Sequence, residues 1–169
     1  NINFNGVTLS PEAILPQSEA ALRDIKLLGA LLTAAESTGS CAAALDLVVA
    51  YLTSRIQFGR LIGSYQSLKH PTVDILIGMD SARTLIYHAA TVVGDQSLDQ
   101  DAEIACRMAK AQATEALLYA GDRAIQFHGG MGFTYECDAQ LYLRRALWSQ
   151  HQFGDAQHHR THLASLLLD

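Results

Sequence analysis

The chain has 169 residues, of which 49% are apolar and only 17% charged, with 12 Lys+Arg against 17 Asp+Glu and a formal net charge of −5. A chain of this length removes roughly 70% of its unfolded surface from water, so one core suffices and stapled mini-protein scaffolds are excluded. The charged fraction is below the roughly 25% of an average soluble domain, which implies that part of the outside is covered by another domain or subunit.

With an acidic balance and no cluster of Lys or Arg beyond Arg144 and Arg145, the chain lacks the electrostatic footprint of a nucleic-acid binder. The longest apolar stretch, 27–35, is interrupted by Thr33 and falls short of the roughly 18 residues that a membrane span requires. Cys41, Cys106 and Cys137 are odd in number and form no CxxC pair, which predicts reduced thiols and a cytoplasmic location. No secretory signal opens the chain and no initiator methionine is present, so a trimmed piece of something larger is expected.

Taken in chain order, the segment Val7-Thr8-Leu9-Ser10-Pro11 alternates and ends in proline, predicting an extended arm over 1–17 with no second strand to pair with. From Ser18 to Arg55, Leu22, Ile25, Leu28, Leu32, Ala35, Gly39, Ala42, Leu45, Val49 and Leu52 recur at helical spacing and predict one long helix. Ser18 is its expected N-cap and Arg55 suits its negative end. Phe58-Gly59 and Gly63 then make a connection.

A second helix is expected from about Ser64 to Gly94, kinked by Pro71 or starting near His70. A third should open on Asp99 as N-cap and stop at Gly129-Gly130. Two shorter helices follow, over about 138–152 and 155–168, each opening on an aspartate. Three long helices, two short ones and no convincing strand predict an all-α, antiparallel up-and-down bundle over 18–169.

Chemistry is concentrated at two turns. Arg55-Ile56-Gln57-Phe58-Gly59-Arg60 presents a guanidinium, an amide and an aromatic ring on a sharp turn, a set able to grip a phosphate, although a basic helix end alone would look the same. Gln126-Phe127-His128-Gly129-Gly130-Met131-Gly132 ends a helix in glycines that admit a close ligand. It follows no strand and carries no Gly-Lys-Ser/Thr, so it is neither a dinucleotide fingerprint nor a P-loop.

In this order and spacing, the stretch from Tyr51 to His70, with Arg55, Gln57, Phe58, Gly59 and Gln66, resembles the acyl-CoA dehydrogenase family. So do Gln126-Phe127-His128-Gly129-Gly130 and the Leu141-Tyr142-Leu143-Arg144-Arg145 run that follows; the likeness extends to the actinobacterial steroid-degradation type. The resemblance implies a C-terminal helical domain, with the arm over 1–17 leaving a middle β-domain. It implies FAD, an acyl-CoA substrate, a homologous subunit completing a shared flavin site and an electron-acceptor protein. Arg55, Gln57, Phe58, Gln66, Gln126, Phe127, His128, Gly129 and Gly130 become the expected flavin contacts.

The family's chemistry needs a carboxylate to take the α proton, and the resemblance places it at one of two positions. Here those positions hold Phe153 and Gly29, neither of which can accept a proton. Asp155 is the only nearby substitute, and it is also the obvious cap of the last helix. Glu36 and Glu136 read as solvated or salt-bridged. The expectation is therefore a flavin dehydrogenase subunit that lacks its own base; the alternatives are a homomeric enzyme using Asp155 and a non-enzymatic oligomerisation module.

His151, His158, His159 and His162 cluster near the end, and His158 with His162 form an i, i+4 pair, but no acidic ligand accompanies them. They predict an exposed helix face and no metal site. Trp148 and Phe153 read as core or interface, and Cys41 as a small packing residue.

Overall fold

The structure, a computed structural model, describes residues 3–14, 16, 18–94 and 97–168. Five helices carry the fold: α1 (Ser18–Ser54), α2 (Gln66–Val92), α3 (Gln100–His128), α4 (Ala139–His151) and α5 (Ala156–Leu168). The N-terminal arm is exposed along its described length, with one 3-10 turn at Pro11–Ala13 and no strand pairing.

Contacts fix the directions. Leu27 near the start of α1 packs with Leu98, Ala102 and Cys106 near the start of α3. Val48 and Leu52 near its end pack with Ala124 and Phe127 near the end of α3. Helices α1 and α3 therefore run parallel, and α2 returns between them, its Ile75 and Met79 near Cys41 and Leu117 while Ala82 and Ala89 meet Ala34 and Ala105. Helix α4 runs back along the second half of α3, with Ala139 near Phe127 and Ala146 near Ala116. Helix α5 continues in the same direction along the first half, where the Gln100 amide donates to the Leu166 carbonyl. The last two helices thus form one fourth column broken at 152–155, which completes the expected up-and-down bundle.

The residues that carry the helical spacing of α1 are not all buried. On α1 the core is Leu27, Ala30, Ala34, Cys41, Ala44, Val48 and Leu52, whereas Leu22, Ile25, Leu28, Leu32 and Val49 are exposed. On α3 the buried row is likewise mostly small, with Ala105, Cys106, Ala109, Ala113 and Ala120 at its centre. Helices with small residues on facing sides approach closely: a Cβ added at Gly121 would lie 2.8 Å from the Leu143 backbone of α4. Large side chains draw the eye in a hydrophobicity pattern, but close approach selects the small ones.

Local signals decide the helix ends. Asp99 caps α3 through its Oδ1, which accepts from the Ala102 N–H at 2.9 Å, and Gly129 stops it at φ 59°. Asp155 caps α5 in the same way, accepting from the His158 N–H at 2.7 Å. Asp138 occupies the N-cap position of α4 but makes no side-chain cap bond, because its backbone is already helical at φ −71° and ψ −9°. Ser18 is itself the first residue of α1, and Arg55 lies just beyond its end. Helix α2 begins at Gln66, close to the expected Ser64, and passes through Pro71, which excludes the alternative start near His70. Pro71 falls in the second turn, where its missing N–H removes only one early ladder bond.

The expectation of no strand is corrected by a minimal hairpin, β1 (Ile56–Gln57) paired antiparallel with β2 (Arg60–Leu61). Its two turn residues, Phe58 at φ 54° and Gly59 at φ 77°, both adopt left-handed conformations. That is the pattern of a type I′ turn, whose twist matches the strands. Periodicity cannot register an element of two residues per strand.

Candidate functional site

The end of α1, the hairpin, the start of α2 and the glycine turn after α3 enclose a cleft of about 920 Å³. Arg55, Gln57, Phe58, Phe127, His128, Gly129 and Gly130 line it, so residues more than 70 positions apart in sequence converge as the motif spacing implied. Gln66, at the first position of α2, and Gln126, on the last turn of α3, are exposed and lie outside the lining.

Arg55 is placed by its backbone: its N–H donates to the Tyr51 carbonyl and its carbonyl accepts from the Ile62 N–H, both at 2.9 Å. Its side chain takes part in no ion pair among the described residues, which leaves its forked donors available. Phe58 is 90% exposed at the hairpin tip, its ring edge-on to Tyr65 at 6.4 Å. The Arg60 guanidinium lies over the Tyr65 ring, 4.0 Å from its centroid. A phenylalanine held at positive φ costs on the order of 1 kcal/mol, and no intramolecular burial of the ring offsets it.

The opposite wall is rigid. His128 is buried and stacks on Tyr51 at 4.2 Å, with an interplanar angle of 25°. Its Nδ1 lies 2.7 Å from the Ala124 carbonyl. A carbonyl can only accept, so Nδ1 carries a proton and donates it to this bond. Phe127 is buried in the core with Val48, Leu52 and Ala124 and also lines the cleft. Gly129 and Gly130 have open space where a Cβ would project, so the backbone here is accessible to a ligand.

The two positions expected to hold a base lie in contact some distance along α1. A Cβ added at Gly29 would fall 2.5 Å from the Phe153 ring, so the phenylalanine occupies the room that a side chain at 29 would need. Phe153 itself stands at φ 57° in the break between α4 and α5 and is about half exposed. Asp155, two residues on, has one carboxylate oxygen committed to the α5 N-terminus; that backbone bond from His158 holds its carboxyl below the usual range. Glu36 is paired with Arg145 at 2.5 Å, and Glu136 is exposed.

The break is held from below by Lys110 of α3, which is fully buried. Its Nζ donates to the Ser149 carbonyl at 3.0 Å and the Gly154 carbonyl at 2.9 Å, with Gln150 at 3.5 Å. The ammonium thus caps the negative end of α4 from another helix. Sequence reading passed over Lys110, yet it lies in phase with Cys106, Ala113 and Leu117 on the buried row, and a lysine in such a row is a signal. The histidine cluster also needs correction: His159 is 1% exposed and both its ring nitrogens lack a hydrogen-bond partner, while His158 and His162 are exposed, their rings 4.3 Å apart and tilted by 48°. An amphipathic helix places neighbouring residues on different faces, so the cluster divides. Among the described residues, no group of three or more His, Cys, Asp or Glu is arranged to hold a metal, and no helix is long and apolar enough to cross a membrane. Cys41 is buried, its thiol pushed up to about 11 by that burial.

Comparison with known proteins agrees with the architecture. Residues 27–168 match the family model for the acyl-CoA dehydrogenase C-terminal domain. Acyl-CoA dehydrogenase IpdE2 of Mycolicibacterium smegmatis is 37% identical over 145 residues, which cover 84% of this chain and 44% of that protein. The mitochondrial short-chain specific acyl-CoA dehydrogenase of Rattus norvegicus is 32% identical over 141 residues, covering 83% of this chain and 34% of that protein. Among solved structures, a variant of the steroid ACAD Tcur3481-Tcur3483 superposes with a TM-score of 0.82 at 26% identity, over 88% of this chain and 40% of that one. The chain therefore spans less than half the length of these relatives. The bundle, the convergent motifs and the family match together establish that the chain belongs to the acyl-CoA dehydrogenase family, as a C-terminal helical domain.

Proposed function

We propose that this domain is part of an FAD-dependent enzyme that removes hydrogens from the α and β carbons of an acyl-CoA thioester, in a subunit that lacks its own base and shares a flavin site with a homologous partner. The observation that carries the reading is the contact of Phe153 with Gly29: both positions able to hold the base are filled by groups that cannot accept a proton, and the Phe153 ring takes the room that a side chain at 29 would need.

The cleft residues fit a dinucleotide. An unpaired Arg55 guanidinium suits a pyrophosphate, the accessible backbone at Gly129 and Gly130 admits close approach, and exposed Phe58 can cover an aromatic ring. Gln57 lines the same cleft as an amide donor. Flavin, when bound, supplies the acceptor for the hydride that leaves the β carbon. This chain's own part is to hold the cofactor at one end through Arg55 and the glycine turn, and to wall the substrate region with the Phe153 ring. Gln66 and Gln126 would touch the cofactor from outside the cleft. The exposed stripe Leu22, Ile25, Leu28 and Leu32 is the surface that the remaining domains of the subunit would cover, the arm over 1–17 being the connection from a middle β-domain.

Actinobacterial steroid degradation is the favoured setting, since relatives of that kind recur in the comparisons, and an electron-acceptor protein would reoxidise the flavin. Autonomous catalysis through Asp155 has less support, because its carboxylate is engaged as a helix cap. The test is to express the full-length protein alone and with a homologous partner, measuring bound flavin and acceptor-dependent oxidation of acyl-CoA. Activity that appears only on co-expression is the expected result; turnover by the protein alone would refute the missing base.

A further inference from the structure

Behind Phe153 lies a second, smaller cavity of about 70 Å³, bounded by Arg23 and Lys26 of α1, Arg107 of α3, and His158 and His159 of α5. Its walls carry three cations, two imidazoles and no carboxylate. The nearby acids are engaged elsewhere. Asp24 accepts from Arg23, the Ser97 hydroxyl and the Leu98 N–H. Glu103 holds Arg107 at 2.6 Å, and Asp155 caps α5. Lys26 takes part in no ion pair among the described residues.

His159 supplies the independent observation. It is 1% exposed, lines this cavity, and both its ring nitrogens lack a partner. A buried polar group without a partner is costly, and a ring beside a cavity is satisfied by whatever enters it. The volume is about that of two water molecules, enough for one carboxylate or phosphoryl group and too small for a sugar, a base or an acyl chain. Arg23 and Arg107 already have Asp24 and Glu103, so water would leave Lys26 alone without a counter-charge; an oxyanion supplies that charge and accepts from the one N–H of the neutral His159 ring. Burial pushes His159 down to about 4, with Lys110, Arg107 and His158 adding to the effect and the nearby Gly154 backbone, outside hydrogen-bond geometry, opposing it.

We infer that this cavity holds a single oxyanion carried by the thioester ligand, either a carboxylate on its acyl part or a phosphate on its CoA part. The inference rests on the proposed function above. Phe153 makes the connection, since its ring touches Gly29 on one side and bounds the cavity on the other.

The test uses the full-length, FAD-loaded complex with its partner and measures affinity for butyryl-CoA, succinyl-CoA and dephospho-CoA by titration calorimetry, in wild type and in Lys26→Gln and His159→Gln. Lys26 is exposed, so its variant folds even where the His159 variant does not. A carboxylate ligand predicts that succinyl-CoA binds at least tenfold more tightly than butyryl-CoA and that Lys26→Gln abolishes the difference. A phosphate ligand predicts that Lys26→Gln weakens both thioesters at least tenfold and leaves dephospho-CoA unchanged. If flavin content and thioester binding persist and Lys26→Gln alters no affinity by more than twofold, the oxyanion site is refuted while the dehydrogenase reading stands. A complex with neither flavin nor thioester affinity overturns both.

Discussion

Replacing Lys110 with methionine tests the buried staple directly. Methionine matches the length of the stem but donates nothing, so the Ser149 and Gly154 carbonyls lose donors at 3.0 and 2.9 Å in a dry environment. Each orphaned buried acceptor costs about 1–3 kcal/mol, and relief of the buried charge offsets part of it, leaving a net loss of about 2–4 kcal/mol. For a domain of this size that corresponds to a fall in Tm of about 5–12 °C, readable by calorimetry. A pH signature accompanies it. Burial pushes Lys110 down to about 8, against 10.5 for an unburied lysine, and Asp155 pulls weakly the other way. Between those values the unfolded chain holds a proton that the folded chain has released, so wild-type stability rises with pH across that window, by about 3 kcal/mol in all. The variant should lack this rise. A Tm within 2 °C of wild type, or an alkaline rise that survives in Lys110→Met, would refute the staple.

His159 gives the acid counterpart: held near 4 against 6.5 when unfolded, it stays neutral while the unfolded chain takes up a proton, so stability should fall by about 3 kcal/mol as pH drops from 6.5 to 4. Denaturant unfolding across that range should show a shallower fall in His159→Gln. Gly29→Ala should cost about 1–3 kcal/mol, because the new methyl meets the Phe153 ring; in a Phe153→Ala background the same change should stabilise by about 0.5–1 kcal/mol through helix propensity, and equal effects in both backgrounds would sink the contact. Phe58→Asn should stabilise the hairpin by about 0.5–1 kcal/mol by relieving positive φ while lowering FAD retention in the full-length complex. Arg55→Ala should also lower FAD retention, with little change in Tm because the side chain is exposed.

What the sequence made legible and what it hid have physical reasons. Helix number, length and ends could be read because Asp99, Asp155 and Gly129 act locally, through one side chain or one dihedral. The convergence of Arg55 with Gly130 was legible only through the family resemblance, since no local rule brings them together. The core face of α1 is not legible in the spacing, because Leu28 and Leu32 outweigh Ala30 and Ala34 in any hydrophobic pattern, whereas packing against α3 depends on size. Lys110 and His159 escaped notice because their type predicts exposure; their burial follows from the break in the fourth column, which places bare carbonyls and a cavity where a continuous helix would have placed apolar side chains.

The central position of α3 has a consequence for how the domain breathes. Every other helix packs against it, so its amides can exchange with solvent only when the whole bundle opens. The amides of α5 and of the hairpin, each with one exposed flank, can exchange through local opening. The cleft thus joins a wall fixed at the global limit, at Ala124 to His128, to a rim at residues 56–61 free to open by itself. A ligand should be admitted by the hairpin moving while the α3 wall stays still, and on binding, deuterium uptake should fall at the rim long before it changes at the wall.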